Sequence, residues 1–212
     1  MAEDDSATPP GGASLIGASP RSIIAFAART IAWCVPLFAL WYLASQPVSL
    51  ASSWAGAKLL DAAVPVEHTR IEWRDEQVTF VLTPDATTAY ARRLPSGISF
   101  EVPIDPRKQT FGLPFFIALL LGARSRRIAT RAAVGSAVLL ALASIGIACE
   151  AAIAYAGLAT PGGARVFVPG AAEATLIALG FQLGTLIFPS VVPVALWAGM
   201  DALRRTGYYF KL

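Results

Sequence analysis

Four stretches of this chain are continuously apolar, and between the first and the second the pattern changes to a strict alternation of apolar and polar residues. The first stretch, 23–44, holds about 22 residues, enough to cross a hydrocarbon core of about 30 Å as a helix. Arg29 lies two turns inside it, where a long side chain reaches back to the headgroups, and Trp41 and Tyr42 at the other end form an interfacial aromatic belt. A cleaved signal peptide with a cut near Ala44 is the rival reading, but the preceding tail is long and acidic where a short basic segment is expected. The stretch 50–63 reads as a helix lying on the membrane surface, although Asp61 falls on the same face as Trp54.

From 65 to 106 the chain has the pattern of a water-exposed unit. Thr69, Ile71 and Trp73 alternate with Arg70, Glu72 and Arg74, and Val78, Phe80 and Leu82 follow after a turn at Asp75 and Glu76. A third alternation, Ile98, Phe100 and Val102, follows Pro95, Ser96 and Gly97, which predicts a small three-stranded antiparallel sheet. So few strands bury little core, and the insert is expected to lean on the membrane surface or on a partner.

The second apolar run, 111–123, would be only about 20 Å long as a helix. Asp105 before Pro106 makes a good helix start, a capping carboxylate ahead of a first-turn proline, and lengthens the span to 106–123. Arg107 and Lys108 then snorkel outward, and Pro114, unable to donate to the carbonyl of Thr110, predicts a bend. Arg124, Arg126, Arg127 and Arg131 crowd the short link 124–131, where an excess of positive charge marks the cytoplasmic side. The third span, 132–158, leads outward to a Gly- and Pro-containing loop at 159–173, and the fourth, 174–203, returns.

The expectation is a mainly α, polytopic membrane protein. Four transmembrane helices carry a small three-stranded antiparallel β insert between the first and the second. A disordered cytoplasmic tail covers 1–20, the first span 21–45, the periplasmic insert 46–105 and the cytoplasmic C-terminus 204–212, so both termini face inward. Composition agrees: of 212 residues, 55% are hydrophobic and 15% charged, and the mean hydropathy is +0.57. Net charge is +3, but the arginines gather at the ends of apolar runs instead of forming a basic face, which argues against nucleic acid. Cys34 and Cys149 both lie in apolar runs, so no disulfide is inferred.

Candidate chemistry is sparse. Glu150 is the one carboxylate well inside an apolar run; it reads either as an ion or proton relay or helix contact, or as an acid near enough to the interface to be solvated. Gly180 and Gly184 form a GxxxG pair around Gln182, which permits close helix approach, within the chain first and between chains second. Pro189 and Pro193 break or kink the same span. A catalytic thiol would need Cys149 with the single histidine, His68, and nothing in the sequence joins them. With one histidine there is no zinc set, and no phosphate loop or serine elbow occurs, so neither cofactor nor catalytic residue is assigned.

Three stretches resemble the exosortase H-associated membrane proteins: 36–44, PLFALWYLA; 100–123, FEVPIDPRKQTFGLPFFIALLLGA; and 177–197, IALGFQLGTLIFPSVVPVALW. In the last, Gly180, Gln182, Gly184, Pro189 and Pro193 stand where that family's final span has them, while Asp105 stands in place of an expected asparagine. The resemblance implies an accessory in the bacterial inner membrane whose partners are the lipid bilayer and a membrane exosortase or its substrates. It implies a role other than the transpeptidase, which requires a cysteine with arginine and histidine partners. The leading expectation is a non-enzymatic interaction protein that docks by its kinked last span and presents the β insert outside. The alternative is a small transporter or channel subunit built on Glu150 and that helix, and an enzyme is the third.

Overall fold

A computed structural model of the protein describes residues 20–74, 76–87, 92, 98–125, 127–159, 163 and 165–205. The chain runs α1 (Pro20–Leu43), α2 (Ser45–Ala63), β1 (Val66–Arg74), β2 (Gln77–Pro84), β3 (Phe100–Ile104), α3 (Arg107–Thr110), α4 (Gly112–Gly122) and α5 (Ile128–Gly157). It ends with α6 (Ala171–Gln182), a π-helical turn (Leu183–Ile187) and α7 (Val191–Arg205). By length and composition two helices can cross a membrane, α1 and α5, and a third span arises if the bent pair Ala171–Ile187 and Val191–Ala202 is one element. The stretch expected as the second span folds as α3 and α4, broken at Phe111 just before Pro114, whose missing N–H leaves the Thr110 carbonyl without its helical donor. Much of the tail and the turn at 95–97 lie outside the described residues.

Both cores are built on α5. Gly135 and Leu139 lie in its first half, and the aromatic ring of Phe116 occupies the space where a Gly135 side chain would stand. Phe116 joins Leu113, Leu120 and Leu139 in one apolar cluster, flanked by Val192, Leu196 and Trp197 of α7. The second half of α5 supplies Ile147, Ala151, Ala152 and Tyr155 to the other cluster, with Ala57 and Leu60 of α2 and Val78, Phe80, Leu82 and Ile104 of the sheet. In lipid, helices gain little from excluding water from one another, so small residues that allow close contact carry the packing.

That rule places α2. It packs along α5 instead of lying apart on the membrane surface, and it begins at Ser45, immediately after α1. Its buried face is Ser45, Ser49, Ser52, Ser53, Gly56, Ala57 and Leu60, a helical stripe of small residues. A Cβ on Gly56 would stand 3.0 Å from the Ser144 carbonyl oxygen and 3.2 Å from Ile147, so the two backbones nearly touch. The Ser45 hydroxyl donates to the Tyr42 carbonyl and that of Ser52 to the Val48 carbonyl, at 2.7 and 3.0 Å.

The strands pair antiparallel in the order β1, β2, β3. Opposite residues Ile71, Phe80 and Val102, and likewise Trp73, Val78 and Ile104, share one face, which the alternation anticipates. Val78, Phe80 and Leu82 of the central strand are fully buried. The insert therefore leans on α5 and α2 of its own chain. On the other face Arg74 donates to Glu101 at 3.2 Å and to Glu72 at 2.6 Å, and these carboxylates raise its pKa, Glu101 most. After β2 the Thr87 N–H donates to the Asp85 carboxylate at 2.8 Å and holds it below its ordinary value.

Between α4 and α5 the chain turns tightly. The N–H of Ser125 reaches the Leu120 carbonyl and that of Arg124 the Leu121 carbonyl, with Arg124 at φ 50, a C-terminal helix stop that usually employs glycine. Arg127, at φ 55, starts α5 in the same left-handed conformation. Arg131 ties the link to α7, donating to the Ser125 hydroxyl at 3.3 Å and to the Met200 carbonyl at 3.2 Å. Arg124 and Arg127 are exposed, and Arg126 lies outside the described residues.

In thermal unfolding of the detergent-solubilised chain, Arg124→Gly should be neutral or stabilising by up to about 1 kcal/mol. Gly135→Leu, which drives a side chain into Phe116, should lose at least about 2 kcal/mol. The Asp85 contact should stabilise the end of β2 above the ordinary carboxylate pKa of about 3.9 and fade as pH falls through the lower folded value. Amide exchange at Thr87 should therefore separate wild type from Asp85→Ala at neutral pH and cease to do so in strong acid.

Candidate functional site

Two helical stripes meet where α3 crosses α5. On α3 and α4 the buried positions Gln109, Leu113, Phe116 and Leu120 follow helical spacing, and on α5 Gly135, Leu139, Ala143 and Gly146 lead to Glu150 at the same spacing. At their intersection the Gln109 amide donates to the Glu150 carboxylate, Nε2 to Oε2, at 2.5 Å. Gln109 is 3% exposed, and its Oε1 has no hydrogen-bond partner among the described residues. Sequence reasoning singled out Glu150 and missed Gln109. The available signal was a glutamine heading a buried stripe whose other members are all apolar.

The bent C-terminal element closes this crossing. Gly184, in the π-helical turn, rests on Gly146, where an added Cβ would stand 2.9 Å from the Gly184 Cα and 3.3 Å from the Gln109 side chain. One turn earlier Gly180 faces the Cys149 sulfur, leaving no room for a side chain. Both glycines of the GxxxG pair thus contact α5 of the same chain, whereas Gln182 points the other way and is exposed. The extra residue of a π-turn frees backbone acceptors, and nearby hydroxyls take them up. Thr185 Oγ1 donates to the Phe181 carbonyl at 2.9 Å, and the Ser190 hydroxyl donates to that of Leu186.

Beyond the π-turn the axis bends by 70°, as two prolines four residues apart lead one to expect. Pro189 and Pro193 are buried against Gly112 at the start of α4; a Cβ there would stand 2.8 Å from the Pro189 carbonyl oxygen and 3.1 Å from the Pro193 ring. Two of the motif stretches, GLP of α4 and FPSVVP of the bend, therefore pack on each other.

At the start of α3, Arg107 gathers three elements. Its Nη2 donates to the Glu76 carbonyl at 2.5 Å and to the Glu76 carboxylate at 3.2 Å in the β1–β2 turn, and its guanidinium lies 5.6 Å from the centre of the Tyr42 ring at the end of α1. Asp105 accepts the Arg107 N–H at 3.2 Å, the capping role expected of it. Arg107 is thus engaged with the sheet instead of reaching free to the headgroups, while Lys108 is exposed. In the first half of α1, Arg29 donates to the Ala25 carbonyl at 3.0 Å, toward the start of the helix.

His68 is exposed on β1, opposite Thr83, and Cys149 packs on α6. No group of three His, Cys, Asp or Glu side chains among the described residues could hold a metal ion. The Gln109–Glu150 hydrogen bond makes the crossing a polar lock between helices. Replacing Glu150 with Leu should strand the buried Gln109 amide and cost roughly 1–3 kcal/mol. The double variant with Gln109→Leu should recover part of it, with a coupling of about 0.6–1.7 kcal/mol in a denaturant-unfolding cycle.

Comparison with known families and structures bears on this arrangement. No curated protein and no solved structure matches the chain. The family model described as exosortase H-associated membrane protein matches residues 20–203, which takes in α1, the insert, the polar lock and nearly all of the bent last element. The chain belongs to the exosortase H-associated membrane protein family.

Proposed function

We propose that the protein is a non-enzymatic accessory of an exosortase-type sorting system, seated in the bacterial inner membrane by four passes with both termini inside. α1 leads outward, α3 and α4 return, α5 leads outward again, and α6 to α7 return. Two contacts support the opposed course of the first two passes. Gly122 at the end of α4 meets Thr30 near the middle of α1, and Arg107 before α4 meets Tyr42 at the end of α1. The arginine-dense link then lies inside and the sheet outside.

The observation that carries the partner reading is Gln182. Its neighbours Gly180 and Gly184 are used up within the chain, yet its amide is exposed, and Leu179 and Leu186 beside it are exposed as well. An amide facing hydrocarbon is unfavourable unless another helix supplies a partner. The exosortase's own membrane helices would cover this face, while the sheet, fixed to α5, meets the exported substrate outside.

Gln182→Leu should leave the unfolding midpoint unchanged or raised and lower co-purification with the co-expressed exosortase several-fold; wild-type recovery would remove docking through the last span. Topology is checked with single cysteines at Glu101 and Arg127 in a chain carrying Cys34→Ala and Cys149→Ala. A membrane-impermeant maleimide applied to spheroplasts should label only the Glu101 position, and labelling of both would overturn the four-pass arrangement.

A further inference from the structure

Between α2, α5 and α6 lies a cavity of about 340 Å³. Its wall includes Leu60 and Ala63 of α2, Ala148, Cys149 and Ala152 of α5, and Leu176 and Ile177 of α6. The wall recedes because α5 presents small side chains here, while α6 is held close one turn further on by Gly180 and Gly184. Among the described residues lining it Glu173 is the only charged one, and its carboxylate is turned to its own helix start, accepting the Gly170 N–H at 2.9 Å. Water inside would find almost nothing to bond, since a buried water needs two to four polar partners.

We propose that this cavity holds one hydrocarbon chain of a bilayer phospholipid. Its location supports that occupant: α5 can cross the membrane, α6 is half of a bent pair that together is long and apolar enough to cross it, and Ile145 and Leu176 on the cavity wall are 41% and 71% exposed on the bundle surface. A chain can enter sideways from the bilayer between them. Size separates the chain from a partner helix. A spanning helix about 30 Å long and about 10 Å across fills roughly 2,400 Å³, several times this space, so a helix could insert only a side chain or two. A flexible chain one carbon wide follows the groove and replaces the contacts that its small-residue wall leaves unmade. This site is distinct from the Gln182 face and does not depend on the sortase reading.

The test uses the full chain in vesicles of phosphatidylethanolamine and phosphatidylglycerol containing a trace of phospholipid with a photoactivatable diazirine near the end of one acyl chain. After irradiation, peptide mass spectrometry should find adducts at 145–152 and 173–177 several-fold denser than at Ile31 and Val35, which face the bilayer from α1. Ala148→Phe fills the cavity and Leu176→Trp plugs its exposed margin. Each should lower the cavity adducts several-fold and leave those on α1 unchanged, and Leu176→Trp, made at a surface position, serves if Ala148→Phe does not fold. Adducts no denser in the cavity than on α1, or unchanged in Leu176→Trp, would overturn the proposal. So would labelling of the cavity by a diazirine fatty acid but not by the phospholipid.

Discussion

The structure depends on how closely other elements can approach α5. Between helices in lipid the hydrophobic effect contributes little, and contact itself must hold the bundle together. α5 meets this with Gly135, Ala143, Ser144, Gly146, Ala148, Ala151 and Ala152, all buried. Each partner uses this surface differently. α4 inserts the Phe116 ring over Gly135, α2 lays Gly56 against the Ser144 carbonyl, and the π-turn sets Gly184 on Gly146. The same economy of side-chain volume leaves the apolar cavity between α2, α5 and α6. One helix surface thus creates both close backbone contacts and an apolar recess.

A second dependence joins the sheet to the helices. Three short strands cannot bury enough surface to stand alone. Here Val78, Phe80 and Ile104 are closed off by Ile147, Ala151 and Tyr155 of α5, and Arg107 fastens the β1–β2 turn to the end of α1. The insert is therefore a continuation of the helical core. This matters for function, because a surface fixed to the membrane helices presents its Arg70, Glu72, Arg74 and Glu101 face at a set position relative to the bilayer.

Much of this was legible in the sequence, for identifiable reasons. The sheet follows from period-two alternation, and its three strands appear in the expected order, with β3 beginning at Phe100 instead of Ile98. The bend follows from Pro189 and Pro193, because a missing N–H acts locally and needs no tertiary knowledge. The course of α2 was not legible from apolar periodicity. The face that buries is serine, glycine and alanine, and a hydrophobic-moment argument looks for the wrong chemistry when the neighbour is another small-residue helix. At the polar lock, Glu150 was conspicuous as a charge among apolar residues. Gln109 was hidden in the polar run that precedes α4, and only the crossing of two stripes reveals it.

The length of α5 has a mechanical consequence. Its 30 residues extend about 45 Å, roughly 15 Å more than a hydrocarbon core accommodates, and the sheet is packed on its far end. Helices respond to changes in bilayer thickness by leaning. A lean of about 10° swings the far end of such a helix by roughly 8 Å, most of the width of two neighbouring strands. α5 is in this sense a lever arm whose fulcrum is the bilayer, and any change in its lean carries the sheet at its tip along with it.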